Sequence, residues 1–551
     1  MYYRRMDLDS AFDCARRGLA VDAYDPASNY LYGLAARQLG KPYDARDGFG
    51  VAARSPDYRD AANVQLSEMA ILDSNWAEAK FYAQRASHDA PAGAESTRLL
   101  ALVGRLSGDT AGARVLLGRM LAEDPLCHFA RCELYLLSPT ASTRSALVSG
   151  IRSELPHETY IELATLYARL GLTADALSVL EPAAGNPMAD FWRAYLTSLQ
   201  GDPAAARRLL EGALETGPAF VFPHRREEMT VLRWAEHEHP HWKTEYYLAL
   251  LNWSLGRTAE SERWFAACGE RPDFAPFYIA RAVFRNGDPE GALTDYRRAL
   301  AIDPGEWRTH NAIVTFLNER GRSTEALPIA RAAAARFPQS YIMQFLLART
   351  LLVSDRPAEA LGILDTLAIL PFEGARYGRD AYRQACIGSA LRALGARDTS
   401  GALGLIEHAR LWPERLGAGE PYNADTRPED YMQARIWRAR GDTSRAGAML
   451  RKIIDDSGSR RGPANAQDLI GACALRDLGK QALAEKYLSE RMGTDRENPL
   501  LAWCLSALHG RPARARAIES KLQTSILNPF SGDQDFLLVT ELAAGGTLDA
   551  P

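Results

Sequence analysis

The sequence predicts an all-α protein, an array of about thirteen helical hairpins, and two observations carry that reading. The first is a period near 34 residues. Glycines recur at Gly40, Gly108, Gly171, Gly201, Gly256, Gly287, Gly321, Gly395, Gly441, Gly479 and Gly510, with Ser74 and Asp355 where two more are due. The steps 40, 74, 108 and 287, 321, 355 are each 34 long. The second observation is what surrounds each marker. Alanine stands five residues after it in eleven of thirteen units, from Ala45 and Ala79 to Ala484 and Ala515; Ser261 and Ser400 are the exceptions. Gly, Ala or Ser stands seven residues before it in eleven of thirteen, with Val314 and Trp503 departing.

Two antiparallel helices account for this spacing. Each unit reads as about a dozen helical residues, a short break at the marker and about a dozen more. Glycine takes the left-handed conformation that ends a helix and reverses the chain. Small residues on both sides of the turn let the two backbones approach, while leucines and aromatics fill the space beside them. Prolines near the unit ends keep the same time (Pro56, Pro91, Pro125, then Pro304, Pro338, Pro371). The pairs Asp25-Pro26, Asp124-Pro125 and Asp303-Pro304 stop one helix and open the next unit.

Taken in order, residues 1–125 are amino-terminal repeats whose first unit is incomplete, Met1 to Asp25 reading as a lone second helix. Marker spacing then jumps to 63, and 126–155 reads as an irregular helix pair around Ser138-Pro139. Repeats resume over 156–217, an inserted helix occupies 218–242, and central repeats fill 243–371. Residues 372–428 form a repeat with irregular loops at 371–379 and 411–428, and 429–551 holds the last repeats and a tail. Long loops in a compact array either carry function or cover a joint.

The marker pattern resembles the tetratricopeptide repeat, which places a small residue in its first helix, Gly near the turn, Ala early in the second helix, then an aromatic, Ala and Pro. Asn29 to Pro56 matches through Gly33, Gly40, Ala45, Phe49, Ala52 and Pro56; Pro276 to Pro304 matches through Ala280, Gly287, Ala292, Tyr296, Ala299 and Pro304. The resemblance implies a tetratricopeptide-type right-handed superhelical solenoid that binds a protein or peptide segment on its concave surface, without catalysis. Stretches 154–172 and 411–434 also look like the carboxy-terminal half of large bacterial repeat proteins. Those carry an amino-terminal β-rich domain with a suspected carbohydrate connection, a half not seen here. The alternative this implies is an accessory module of a carbohydrate-active or carbohydrate-binding protein, contacting sugar or a β-rich partner domain.

Composition narrows the function classes. The formal charge of −4 signals no nucleic-acid surface, and no apolar run is long enough to span a membrane. Seven cysteines without a C-x-x-C pair read as free thiols of a reducing compartment. The opening MYYRRMDLDSAFDC turns acidic before an apolar segment forms, so the expected location is the cytoplasm. No phosphate-binding loop, dinucleotide fingerprint or nucleophile elbow occurs, and neither an enzyme nor a cofactor is expected. His224, His237, His239 and His241 cluster, but Pro240 ends the helix that would set His237 and His241 on one face, so no metal site is expected.

The aromatic distribution supplies the candidate binding residues. If the repeat geometry applies, the second, fifth, ninth and twelfth positions of each first helix face the groove. In the central units these hold Phe191 and Tyr195, Tyr246 and Trp253, Phe277, Arg281 and Phe284, Asn311 and Asn318, then Phe345 and Arg349. Such a surface clasps a peptide or stacks on sugar rings. The same aromatics at the same spacing also serve as packing between units. The Lys and Asn pattern of the peptide-carboxylate clamp is absent: fifth positions are Tyr30, Val64, Arg98, Ile161, Phe191, Tyr246 and Phe277.

Overall fold

The computed structural model describes residues 2–86, 94–285, 287–372, 375–493, 498–519 and 539. Pro91 and nearly all of the tail after 519 therefore lie outside the described residues. Those described form thirty α-helices and three short 3-10 segments, with no strand. Twenty-eight helices pair into fourteen hairpins; Leu8–Val21 and Glu228–Glu238 stand outside the pairs. The chain divides into two compact units, Met1–Asp273 and Phe274–Pro551, with seven hairpins in each.

The turn that makes a hairpin is the one the markers specify. Eleven of the thirteen marked positions have positive φ, including Ser74 at 57° and Asp355 at 56° where glycine is missing. The residue after the marker closes the turn onto the helix behind it: Lys41 N–H donates to the Ala36 carbonyl, Asn75 to Ala70 and Arg322 to Leu317, each at 2.9 Å. That next residue is often Asp, and its carboxylate caps the second helix. Asp109 accepts from Gly112 N–H at 3.0 Å, Asp202 from Ala205 at 2.9 Å and Asp442 from Arg445 at 3.0 Å.

One marker is corrected. The left-handed residue of the eleventh hairpin is Arg397, φ 63°, not Gly395, and Asp398 follows it as the cap, 2.8 Å from Gly401 N–H. Counting from Arg397 replaces Ser400 and Gly388 with Ala402 and Ala390, both fully buried. The small-residue rule is thus kept where the glycine misled. Another hairpin turns without a glycine. His128–Leu137 and Ala141–Gly150 pair around Ser138-Pro139-Thr140, where Thr140 and Thr143 cap each other reciprocally.

Inside the hairpins the small residues face one another. Ser67, seven before its marker, donates to the carbonyl of Ala79, five after it, at 2.8 Å. In another unit the hydroxyl is on the other side: Ser261 donates to the Ala249 carbonyl at 2.9 Å. Both serines are fully buried. In the first hairpin a Cβ on Gly33 would lie 2.7 Å from the Phe49 ring, and one on Gly48 would lie 2.6 Å from the Asn29 carbonyl oxygen. A larger residue has no room at such a crossing.

Irregular segments are held by their own contacts. In the second unit, the loop after Pro357–Leu364 and the one after Thr399–Arg410 are joined: Ile369 N–H donates to the Arg415 carbonyl at 2.7 Å and the Arg415 guanidinium to that of Leu364 at 3.1 Å. Leu416 is buried between them. No described helix is long and apolar enough to cross a membrane.

Two substitutions test this construction. Ala326→Leu, at a fully buried seam position, is expected to destabilise by about 1–3 kcal/mol through overpacking. Arg397→Gly removes the left-handed strain of a residue with a Cβ at an exposed turn and is expected to stabilise by about 1 kcal/mol. Denaturant melts of the full chain measure both.

Candidate functional site

Burial sorts the ten residues picked from the sequence. Five are interior rather than surface. In the first unit, Phe191 packs edge-on to Tyr247 at 5.8 Å and Tyr246 lies 6.4 Å from Phe265. In the second, Phe277 meets Tyr278 at 5.0 Å, and Asn318 donates to Thr350 Oγ1 at 2.9 Å. Arg281 is only 3% exposed and forms a two-pronged pair with Asp295, at 2.9 and 2.6 Å. Phe191 and Asn318 meet the next hairpin, whereas Tyr246 and Arg281 meet the second helix of their own; all five are packed in the interior and do not present a surface.

Tyr195, Trp253, Phe284, Asn311 and Arg349 are half-buried. Arg349 lies over the Phe345 ring at 5.4 Å, and its Nε and Nη2 have neither solvent nor an acceptor among the described residues. Burial lowers its pKa to about 10. Tyr195 stands with Trp192 and Trp234, ring centroids 6.4 and 5.7 Å away.

Tyr195 also opens onto a cavity of about 300 Å³ within the first unit. Its walls come from the first helices of four hairpins: Arg37 and Gln38, Leu72, then Thr165, Ala168 and Arg169, then Trp192 and Tyr195. Thr230 of the inserted helix, with Arg226 and Glu227 before it, and Met6 and Leu8 complete it. No second helix of a hairpin contributes. The cavity therefore lies on the first-helix side of this unit.

Ion pairs hold its walls in place. Glu68, 1% exposed, accepts from Arg37 at 2.5 Å and from Arg169 at 2.6 Å, tying helices 101 residues apart. Arg105 binds Glu133 at 2.8 Å and Asp175 at 2.7 Å, and Tyr167 donates to Glu133 at 2.7 Å. Arg225 binds Glu158 at 2.6 Å and the buried Glu228 at 3.3 Å. The amino-terminal segment closes one end: Arg257 donates to the Arg5 and Met6 carbonyls at 3.3 and 3.1 Å, and Arg226 lies 5.0 Å over Tyr3. Two donors on the wall, Trp192 Nε1 and Arg37 Nη2, are buried without an acceptor among the described residues.

The histidine cluster has other employment. The helix Glu228–Glu238 stops before Pro240, so His237 and His241 do not share a face. His241 caps the next helix, its Nδ1 accepting from Lys243 N–H at 3.1 Å, while His237 is mostly exposed. Beside them Glu236 accepts from His241 N–H at 3.4 Å. Burial, with the charge of Glu245 adding to it, pushes the Glu236 pKa up to about 7.

Sequence reasoning missed Arg37, Glu68, Arg169, Trp192 and Arg226. Trp192 was one step away, next to the chosen Phe191. The arginines and Glu68 are ordinary surface residues in the sequence, and only the fold joins them.

Two stretches match models of the tetratricopeptide repeat, residues 187–211 and residues 318–373. The matched stretches and the packing above make this an all-α chain of tetratricopeptide-type hairpins. No curated protein is matched. Among solved structures, the chain is similar to Naa15/Naa10 bound to HypK-THB, at 13% identity over 100% of this chain and 93% of that one, with TM-score 0.31. It is similar to yeast Tom70 at 13% identity, over 92% and 96% of the two chains, with TM-score 0.25. The Cut9-Hcn1 hetero-tetramer gives 12% identity over 88% and 96%, with TM-score 0.23. At TM-scores this low the likenesses carry no weight here.

Glu236 gives a pH test. Its folded pKa is raised above the unfolded value, so the folded state holds the proton longer and stability falls as pH rises from about 4.5 to about 7. Glu236→Gln is expected to be more stable than the parent at pH 8 and equal to it at pH 4.5, read from the difference in melting temperature.

Proposed function

We propose that this chain is a non-catalytic scaffold whose inner helix faces hold a segment of a partner protein, with the cavity beside Tyr195 as its principal seat. One observation carries the reading. The cavity is lined by the first helices of four hairpins, the inserted helix with the residues before it and the amino-terminal segment, and it offers aromatic surface next to polar groups of both kinds. Trp192, Tyr195 and Leu72 suit an apolar side chain. Gln38, Thr165, Arg226 and Glu227 suit the amides and carbonyls of an extended main chain. A carbonyl entering there would also find Arg37 and Trp192, whose N–H groups are left over from the fold.

Glu68 offsets one of the two charges of Arg37 and Arg169, so shape and hydrogen bonding act in the cavity beside one residual positive charge. The cytoplasm, where thiols stay reduced, is the compartment that suits seven free cysteines.

Selection of a peptide from a random displayed library against the full chain supplies the probe. Binding of that peptide, followed by fluorescence anisotropy, is expected to weaken at least tenfold in Tyr195→Ala and in Arg226→Ala with helicity unchanged. A peptide that binds both variants as it binds the parent would refute the assignment. An oligosaccharide array read on the same three proteins tests the carbohydrate reading.

A further inference from the structure

Hydrogen bonding around the Tyr195 cavity is one-sided. Of the buried polar atoms without a partner among the described residues, two belong to its wall, Arg37 Nη2 and Trp192 Nε1. Both are donors, and one is charged. No acceptor of a lining residue is stranded in this way. Trp192 is 3% exposed and the Arg37 side chain 11%. A buried donor without an acceptor is costly, more so when it carries charge. What relieves this wall is an oxygen with lone pairs and no proton of its own.

The carboxylate nearest to hand is engaged elsewhere. Glu68 places one oxygen on Arg37 Nη1 at 2.5 Å and the other on Arg169 at 2.6 Å. The other hydrogen bond of Arg37, to Gln65 Oε1 at 2.7 Å, also leaves from Nη1. Charge points the same way. Arg226 has no acidic partner among the described residues, its guanidinium lying over the Tyr3 ring at 5.0 Å. Three guanidinium groups, Arg37, Arg169 and Arg226, thus stand against two carboxylates, Glu68 and Glu227. One positive charge is left over.

A carboxylate meets each of these conditions. It brings acceptor oxygens, a negative charge and no donor, and its hydrogen bonds with arginine are roughly twice as strong as those between neutral groups. A main-chain carbonyl satisfies the donors but not the charge. An amide or hydroxyl side chain brings a further donor, and a cationic side chain satisfies nothing.

We propose that the segment held beside Tyr195 is anchored by a carboxylate, which accepts from Arg37 Nη2 and Trp192 Nε1 and is balanced by the excess charge that includes Arg226. This rests on the cavity being a peptide seat and adds the chemistry of the group that enters it. An acidic side chain and the end of a partner chain present the same two oxygens, and the test separates them.

The probe is the tightest ligand of the full chain from a synthetic library of random nonapeptides, made with free and with amidated ends. Each carboxyl of that peptide is converted to its amide in turn, and binding is followed by fluorescence anisotropy. One conversion is expected to weaken binding to the parent at least tenfold, and its position tells a side chain from a chain end. The same conversion is expected to matter less than threefold in Trp192→Phe, which removes the donor and keeps a ring, and in Arg226→Gln, which removes the charge. A tenfold effect that persists in either variant overturns the anchor. If Tyr195→Ala weakens the probe tenfold while no conversion does, the peptide seat stands and the anchor is overturned; if Tyr195→Ala has no effect, both are. Should a variant fail to fold by circular dichroism, a probe with benzophenone beside its acid decides. It is expected to label the parent at residues 192–195 or 226–230, and labelling confined to other residues overturns the anchor.

Discussion

The close approach of two helix backbones at a pair of small residues is the constraint on which this structure rests. Ser67 and Ser261 expose it most directly, because each hydroxyl reaches the carbonyl of the facing small residue, from opposite sides of the same crossing. A hairpin folded this tightly has one thin direction. Its larger side chains must be displaced to either side of the crossing, where they meet the neighbouring hairpin. Stacking follows, since a hairpin cannot cover those side chains alone. The burial of Phe191 against Tyr247 of the next hairpin is the same fact seen from the side chain.

Stacking by apolar contact leaves the angle between successive hairpins loosely specified, and the buried ion pairs tighten it. Arg37 with Glu68 and Arg105 with Glu133 join successive first helices in the first unit. Arg383 with Glu429, both prongs at 2.5 Å, and Arg427 with Asp468 at 3.2 Å do so in the second. Paired charges without water are poor sources of net stability but strict about geometry. Arg169 goes further and fastens Glu68 across the inner face of its unit. Arg169 and Arg37, both held by Glu68, also line the cavity beside Tyr195.

The irregular segments obey the same rules with different residues. Arg397 does the work of a turn glycine at some cost in backbone strain, and Asp398 keeps the cap that Asp109 and Asp202 supply elsewhere. The Ser138-Pro139-Thr140 turn dispenses with left-handed backbone and relies on a threonine pair. Turn chemistry varies; facing small residues recur in most of the hairpins, with Val314 and Trp503 as departures.

Hairpin number, turn positions and the seam were largely legible in the sequence, because each depends on residues within about twenty positions of one another and repeats often enough to average out exceptions. Gly395 misled only because another residue two places on had taken its conformation. The inner-face residues were legible by helix position but not by exposure. Tyr195 lines the cavity whereas Phe191, one helical turn earlier, is interior, and what separates them is how the next hairpin lies against each. The cavity itself gathers Met6, Arg37, Arg169 and Arg226 from distant parts of the chain. Local spacing dictates helices and turns because backbone hydrogen bonds are short-range. Which surfaces end up facing each other is decided only when many small packing angles accumulate, and no window of sequence contains that sum.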